Sequence, residues 1–160
     1  MMDTVDPATR SRMMAGIRST NTRPELTVRK FLHAQGFRFR LHHGALPGRP
    51  DIVLPKWRTA IFVHGCFWHR HPGCDKATTP STNVEKWRAK FSDNVARDRK
   101  VRDALVNNGW KVIVIWECGI GRKSDTASLE WLPDAITKPR TQVVEWPSQQ
   151  SGKTPGIDGK

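Results

Sequence analysis

Cys66, His71 and Cys74 lie in a C-x4-H-x2-C spacing, and Cys118 comes directly after a long apolar run; together they use all three cysteines of the chain. Thiolates and an imidazole at close spacing suit tetrahedral zinc, and four protein ligands make a closed, structural site. An odd cysteine count fits poorly with a disulfide framework and better with metal in a reducing compartment. A ligand as distant as Cys118 would pin the irregular stretch 64–82 to the end of a strand. His64 and His69 are spare histidines in that stretch, so the residues alone leave open which histidine ligates.

A second group has harder chemistry. Asp51 opens one strand of an expected hairpin and His64 ends the other, and in an antiparallel pair those ends lie side by side. His69 follows in the loop that zinc would hold, and Glu25 begins the first helix. A carboxylate with neighbouring oxygens suits Mg²⁺. Magnesium held by one or two carboxylates, with water and substrate phosphate completing its shell, is a common arrangement for phosphodiester cleavage. A histidine titrating near neutrality can take the proton of an attacking water.

Phe67 and Trp68 sit between a proposed zinc ligand and His69. Two large apolar groups on a polar loop are costly unless buried or used, and wedging into a base stack is one use. Trp87, close to Lys86, Arg88 and Lys90, is a third aromatic placed for DNA, though it shares a helix face with Phe91 and equally suits a core. Lys and Arg total 27 against 15 Asp and Glu, a net charge of +12, which calls for an acidic partner: nucleic acid before an anionic membrane surface. No apolar run approaches the ~20 residues that cross a bilayer. The start MMDTVDPATRSR lacks the apolar core of a signal peptide, so a cytoplasmic protein with no membrane partner is expected.

The elements that must position these residues are set by periodicity. Residues 1–23 read as a basic arm with Arg10, Arg12, Arg18 and Arg23, and one helical turn around Arg12–Ile17. Pro24 and Glu25 begin a helix over 24–35 whose stripe is Val28, Phe31 and Leu32, stopped at Gly36. Phe37, Phe39 and Leu41 alternate with Arg38, Arg40 and His42 as a strand with a basic face. Short strands over 51–54 and 59–63 flank a turn at 55–58. The stretch 64–82 has no period. A helix over 83–108, with Trp87, Phe91 and Val95 and then Val101 and Leu105 spaced by four, closes at Asn108-Gly109; KVIVIW at 111–116 reads as a buried strand. A weaker helix covers 126–132, the folded domain spans 24–135, and the Pro-, Ser- and Gln-rich residues 136–160 read as a disordered tail. Helix, three strands, helix, strand is an α/β order with a mixed central sheet flanked by helices.

LPGRPD at 46–51, FVHGCFWH at 62–69, NVARDRK at 94–100 and GWKVIVIWEC at 109–118, with ATRSRMM at 8–14, resemble the very-short-patch repair endonucleases. The resemblance covers about residues 8–118, and the HGCFWH string with its spacing to Asp51 is its most specific part. It implies a restriction-endonuclease-like core and a bacterial enzyme, a monomer, that nicks duplex DNA 5′ of the thymine in a T·G mismatch left by deamination of 5-methylcytosine. It makes mismatch-repair proteins candidate partners. It implies that Asp51 binds catalytic Mg²⁺ with the Val63 carbonyl, that His69 activates the water and Asp98 orients it, that His64 supports the metal-water or phosphate network, and that Glu25 contacts metal-bound water. Cys66, His71, Cys74 and Cys118 would hold zinc. Phe67, Trp68 and Trp87 would enter the base stack, with Met14 on the opposite groove side and Lys90 at the DNA. Val63 stands where the family often has Thr; a carbonyl ligand survives that change and a hydroxyl contact does not. Two other readings use the same charge, zinc set and aromatics: a zinc-stabilised DNA-binding module without chemistry, and a related nuclease of other DNA specificity. The Asp51, His64 and His69 set has no purpose in the first of these.

Overall fold

The structure, a computed structural model, describes residues 21–120, 126–138 and 142–147; most of the basic arm, Met14 included, lies outside the described residues. Helix α1 (Arg23–Ala34) starts one residue before the expected Pro24, because the Thr22 hydroxyl accepts the Glu25 N–H and so caps it. The strands are β1 (Arg40–Leu41), β2 (Ile52–Leu54) and β3 (Thr59–His64), then the one-turn helix α2 (Cys66–His69) and the long α3 (Val84–Asn107). After β4 (Lys111–Trp116) come a short helix α4 (Glu117–Ile120), α5 (Leu132–Thr137) and β5 (Val143–Trp146).

The sheet runs β1-β2-β3-β4-β5, with β1/β2 and β2/β3 antiparallel and β3/β4 and β4/β5 parallel. Parallel neighbours need a crossover, and α2, the loop after it and α3 supply the one between β3 and β4. β4 lies between β3 and β5 and is buried on both faces, which is why it reads as an unbroken apolar run. Ile113 and Ile115 pack with Val28, Phe31 and Leu32 of α1 on one face; Val112, Val114 and Trp116 pack with Leu105 of α3 on the other.

Four expectations change. The strand expected over 37–42 contracts to Arg40–Leu41, an edge strand matched to a partner of only three residues, while Phe37 and Phe39 still pack on the α1-side core. The aperiodic stretch 64–82 contains α2, started at Gly65 and ended by Arg70 in the left-handed region (φ 57°). The helix expected over 126–132 splits into a 3-10 turn at Thr126–Leu129 and α5. The tail expected to begin at 136 begins later. Ile136 is buried, and VVEW at 143–146 forms β5, with the Trp116 indole N–H donating to Glu145 (2.7 Å) and Trp146 packing on Trp131. Averaged composition hid four residues whose β-branched and aromatic character suits a strand. Trp146 also requires Gly119, where a Cβ would stand 2.5 Å from its ring. Residues 148–160 lie outside the described residues.

Candidate active site and metal centre

In the parallel β3/β4 register His64 pairs with Trp116, so the segments after both strands leave the sheet at the same end. There Glu117 accepts the Cys66 N–H (3.3 Å) at the start of α2, and Cys118 comes to face Cys66 and His71. The His71 Nδ1 lies 3.8 Å from the Cys66 sulfur and 3.3 Å from the Cys118 sulfur. The donor atoms of Cys66, His71, Cys74 and Cys118 are all within 4.8 Å of one another, a spread that suits one tetrahedral ion. Of the histidines in this stretch, His71 lies with the cysteines, while His64 and His69 fall in a separate cluster. Trp116 stacks on His71 (4.4 Å, 13° between planes) and fixes its ring. Burial pushes the Cys66 and Cys118 thiols above their ordinary range, and a divalent cation would reverse that shift.

On the other side of α2 a cleft of ≈ 440 Å³ is lined by Asp51, Val63, His64, His69 and Asp98, among others. Asp51 sits just before β2, and its carboxylate accepts the Val63 N–H at 2.7 Å across the hairpin. Burial pushes its carboxyl up from 3.8 to about 6, opposed by the Val63 N–H and reinforced by the nearby Glu25 charge. A desolvated acid beside another acid favours a cation. The Asp98 carboxylate accepts the His69 Nδ1–H at 2.7 Å, an arrangement that fixes the ring and directs Nε2 away from Asp98. His64 stacks flat on His69 (3.8 Å, 6°). Burial, with the His69 charge second, lowers the His64 value from 6.5 to about 3 and keeps it neutral.

Glu25 is buried and ion-paired to Arg29, with His42 Nε2 at 2.6 Å on the same oxygen. The donor atoms of Glu25, His42 and Asp51 form a third group within 4.8 Å. His42 is one residue that reading the sequence missed. Its own N–H donates to the Asp51 carbonyl (3.2 Å), continuing the β1/β2 ladder one residue beyond Leu41 and Ile52. Pairing the basic strand with the Asp51 strand would have found it. Asn94, inside NVARDRK, was also missed as a contact; its amide donates to the Trp68 carbonyl at 3.2 Å.

Phe67, Trp68, Trp87 and Phe91 form one aromatic cluster, with Phe67 edge-on to Trp68 (5.0 Å, 90°) and to Phe91 (5.2 Å, 89°). Trp87 meets both Phe67 and Trp68 and is half-buried. Lys90 lies 5.0 Å from the Trp68 ring. Phe67 and Trp68 are also only half-buried, on a helix whose next residue, His69, lines the cleft. No described helix is long and apolar enough to cross a membrane.

A five-stranded mixed sheet with flanking helices, with an acid and histidines gathered in one cleft, is the restriction-endonuclease-like fold of a DNA-cleaving enzyme. The family of the DNA mismatch endonuclease Vsr matches residues 2–76. The Type II nicking enzyme V.XorIIP of Xanthomonas oryzae is 47% identical over 130 residues, 81% of this chain and 93% of that protein. V.NmeAIP of Neisseria meningitidis, another Type II nicking enzyme, is 44% identical over 78% of this chain and 88% of that protein. The DNA mismatch endonuclease Vsr of Escherichia coli is 42% identical over 85% of this chain and 88% of that protein. The chain belongs to this Vsr family and is a DNA endonuclease.

Proposed function

We propose that the protein nicks one strand of duplex DNA 5′ of the thymine in a T·G mismatch, in the bacterial cytoplasm, as the first step of very-short-patch repair. The observation that carries this reading is the placement of Phe67 and Trp68 on the same one-turn helix as His69, with Trp87 packed against them. One rigid turn then joins a probe of base stacking to a group that handles protons. Aromatic insertion costs a few kcal/mol of unstacking per step and least where pairing is already weak.

Asp51, with the Val63 carbonyl, would hold Mg²⁺, which supplies charge neutralisation at the phosphate and acidifies bound water. His69, its Nδ1 tied to Asp98, uses Nε2 to take the proton of the attacking water. Neutral His64 holds the His69 ring in place by stacking and offers a hydrogen bond to the phosphate network without competing for that proton. Glu25, held by Arg29 and His42, orients water near Asp51. Cys66, His71, Cys74 and Cys118 would hold Zn²⁺ as a structural ion that joins the loop to β4. Phe67, Trp68 and Trp87 would enter the base stack, Lys90 would lie against a backbone phosphate, and Met14 would act from the opposite groove side.

A T·G duplex and its T·A counterpart incubated with the protein and Mg²⁺ test this reading. Nicking 5′ of the mismatched thymine alone supports it. Equal cutting of both duplexes assigns a nuclease of other specificity, and salt-sensitive binding with no cutting under any divalent metal assigns a binding module.

A further inference from the structure

Arg70 lies between the proposed proton acceptor and a zinc ligand and does neither task. It ends α2 in the left-handed region, and that turn sends its side chain back beneath the helix. One guanidinium nitrogen donates to the carbonyls of Phe67 (3.3 Å) and Thr78 (2.8 Å). The other donates to the Ala77 carbonyl (2.9 Å) and the Thr79 hydroxyl (3.1 Å). The guanidinium carbon stands 4.0 Å from the centroid of the Phe91 ring and 5.9 Å from that of Phe67. Four of five N–H directions and one planar face are thus engaged, a pattern that a guanidinium matches and an ammonium does not. Residues 75–83 contain no helix or strand, and this side chain ties residues 77–79 of that segment to the aromatic cluster.

We propose that Arg70 is a positioning residue for base-pair discrimination, an inference that rests on the mismatch reading above. It clamps Phe67 and the 77–79 segment into one unit, with Phe91 behind, so that Trp68 meets DNA on a rigid support. A rigid wedge must unstack whatever it meets, and the full difference between a weak and a strong pair then appears in the rate. A wedge free to retreat meets both pairs at nearly equal cost and loses that difference.

The test compares the full-length protein with Arg70→Ala and Arg70→Lys at matched zinc content. In the DNA-free protein, hydrogen exchange in peptides spanning 67–79 accelerates about tenfold in Arg70→Ala, while β3 and β4 keep their rates. Unchanged exchange at 67–79 overturns the clamp whatever the enzyme cuts. On DNA, the ratio of T·G to T·A nicking falls about tenfold in Arg70→Ala, a loss near 1.4 kcal/mol, with partial recovery in Arg70→Lys. A duplex placing the thymine opposite an abasic site has no pair to open, and Arg70→Ala nicks it within about twofold of the wild-type rate. Equal loss on the mismatched and abasic duplexes overturns the discriminating role and leaves Arg70 as scaffold. If the unaltered protein cuts T·G and T·A alike, the mismatch reading fails, and the exchange measurement alone decides the clamp.

Discussion

The two clusters on either side of α2 share a helix, a strand edge and much of their chemistry, yet one is closed and the other open. Cys66, His71, Cys74 and Cys118 converge on one point with His71 stacked against Trp116, enough donors to complete a tetrahedral shell from protein alone. Asp51, His64, His69 and Asp98 instead line a cleft, with His69 bonded to Asp98 and Asp51 to the Val63 N–H. Soft donors in a closed set hold a metal for structure, while hard donors at an open face leave room for water and phosphate. The lesson is that His69 and His71, two positions apart, fall in different clusters, because the chain leaves α2 at Arg70 between them.

The comparison can be broken most severely at the closed cluster. Cys118→Ala, or a strong chelator, should remove one equivalent of zinc and destabilise the fold by several kcal/mol, given that zinc-peptide binding alone reaches roughly 10 kcal/mol. Elemental analysis with thermal unfolding reads this, and a fully stable zinc-free chain would contradict the structural assignment. At the open cluster the opposite pattern is expected. Asp51→Asn should lower nicking by about 10³-fold or more, several kcal/mol of lost transition-state stabilisation, and leave zinc content intact. Because burial raises the Asp51 carboxyl to about 6, the neutral variant should also melt no lower than the parent in metal-free buffer at pH 7.5.

His64 sharpens the contrast through pH. Its folded value near 3 lies below the ordinary 6.5, so the unfolded chain takes up the proton first. The stability contributed by neutral His64 is complete above about pH 6.5 and is lost as pH falls toward 3, at up to about 1.4 kcal/mol per pH unit. Denaturant melts from pH 7 to 4 should therefore show a shallower acid decline in His64→Gln; an identical slope would remove His64 as the buried neutral group. Asp98→Asn should reduce the rate by about 10²-fold, because the His69 ring loses the carboxylate that holds its Nδ1. Lys111 provides the control. Its ammonium donates to the carbonyls of Ala135, Ile136 and Lys138 at the far end of β4, so Lys111→Met should cost about 1–2 kcal/mol while zinc content and nicking stay unchanged.

The elements with strong local signals were legible. The helices at 24–35 and 83–108 and the strand KVIVIW needed only periodicity and end signals, and each appears within a residue of its expected place. The gathering of Cys66, His71, Cys74 and Cys118 was legible because cysteine is scarce here and every copy is used. β5 was not, since four residues carry its signal within a polar segment and their burial depends on Trp131, Trp116 and Gly119. His42 and Arg70 were not legible either. Each looks like one more basic residue in a chain of net charge +12, and only register or a turn's direction reveals its partners.

From the sequence alone came the residue types: thiols enough for one closed metal site, an acid and histidines at the ends of neighbouring strands, aromatics where a loop could not hide them, and a charge suited to DNA. Tertiary structure decided the grouping. The parallel register of β3 with β4 brings Cys118 to Cys66, the α2 turn separates His69 from His71, and the β1/β2 ladder joins His42 to Asp51. Ligand and proton chemistry act over a few ångströms, and contacts between residues tens of positions apart exist only once the sheet has set which strand ends meet.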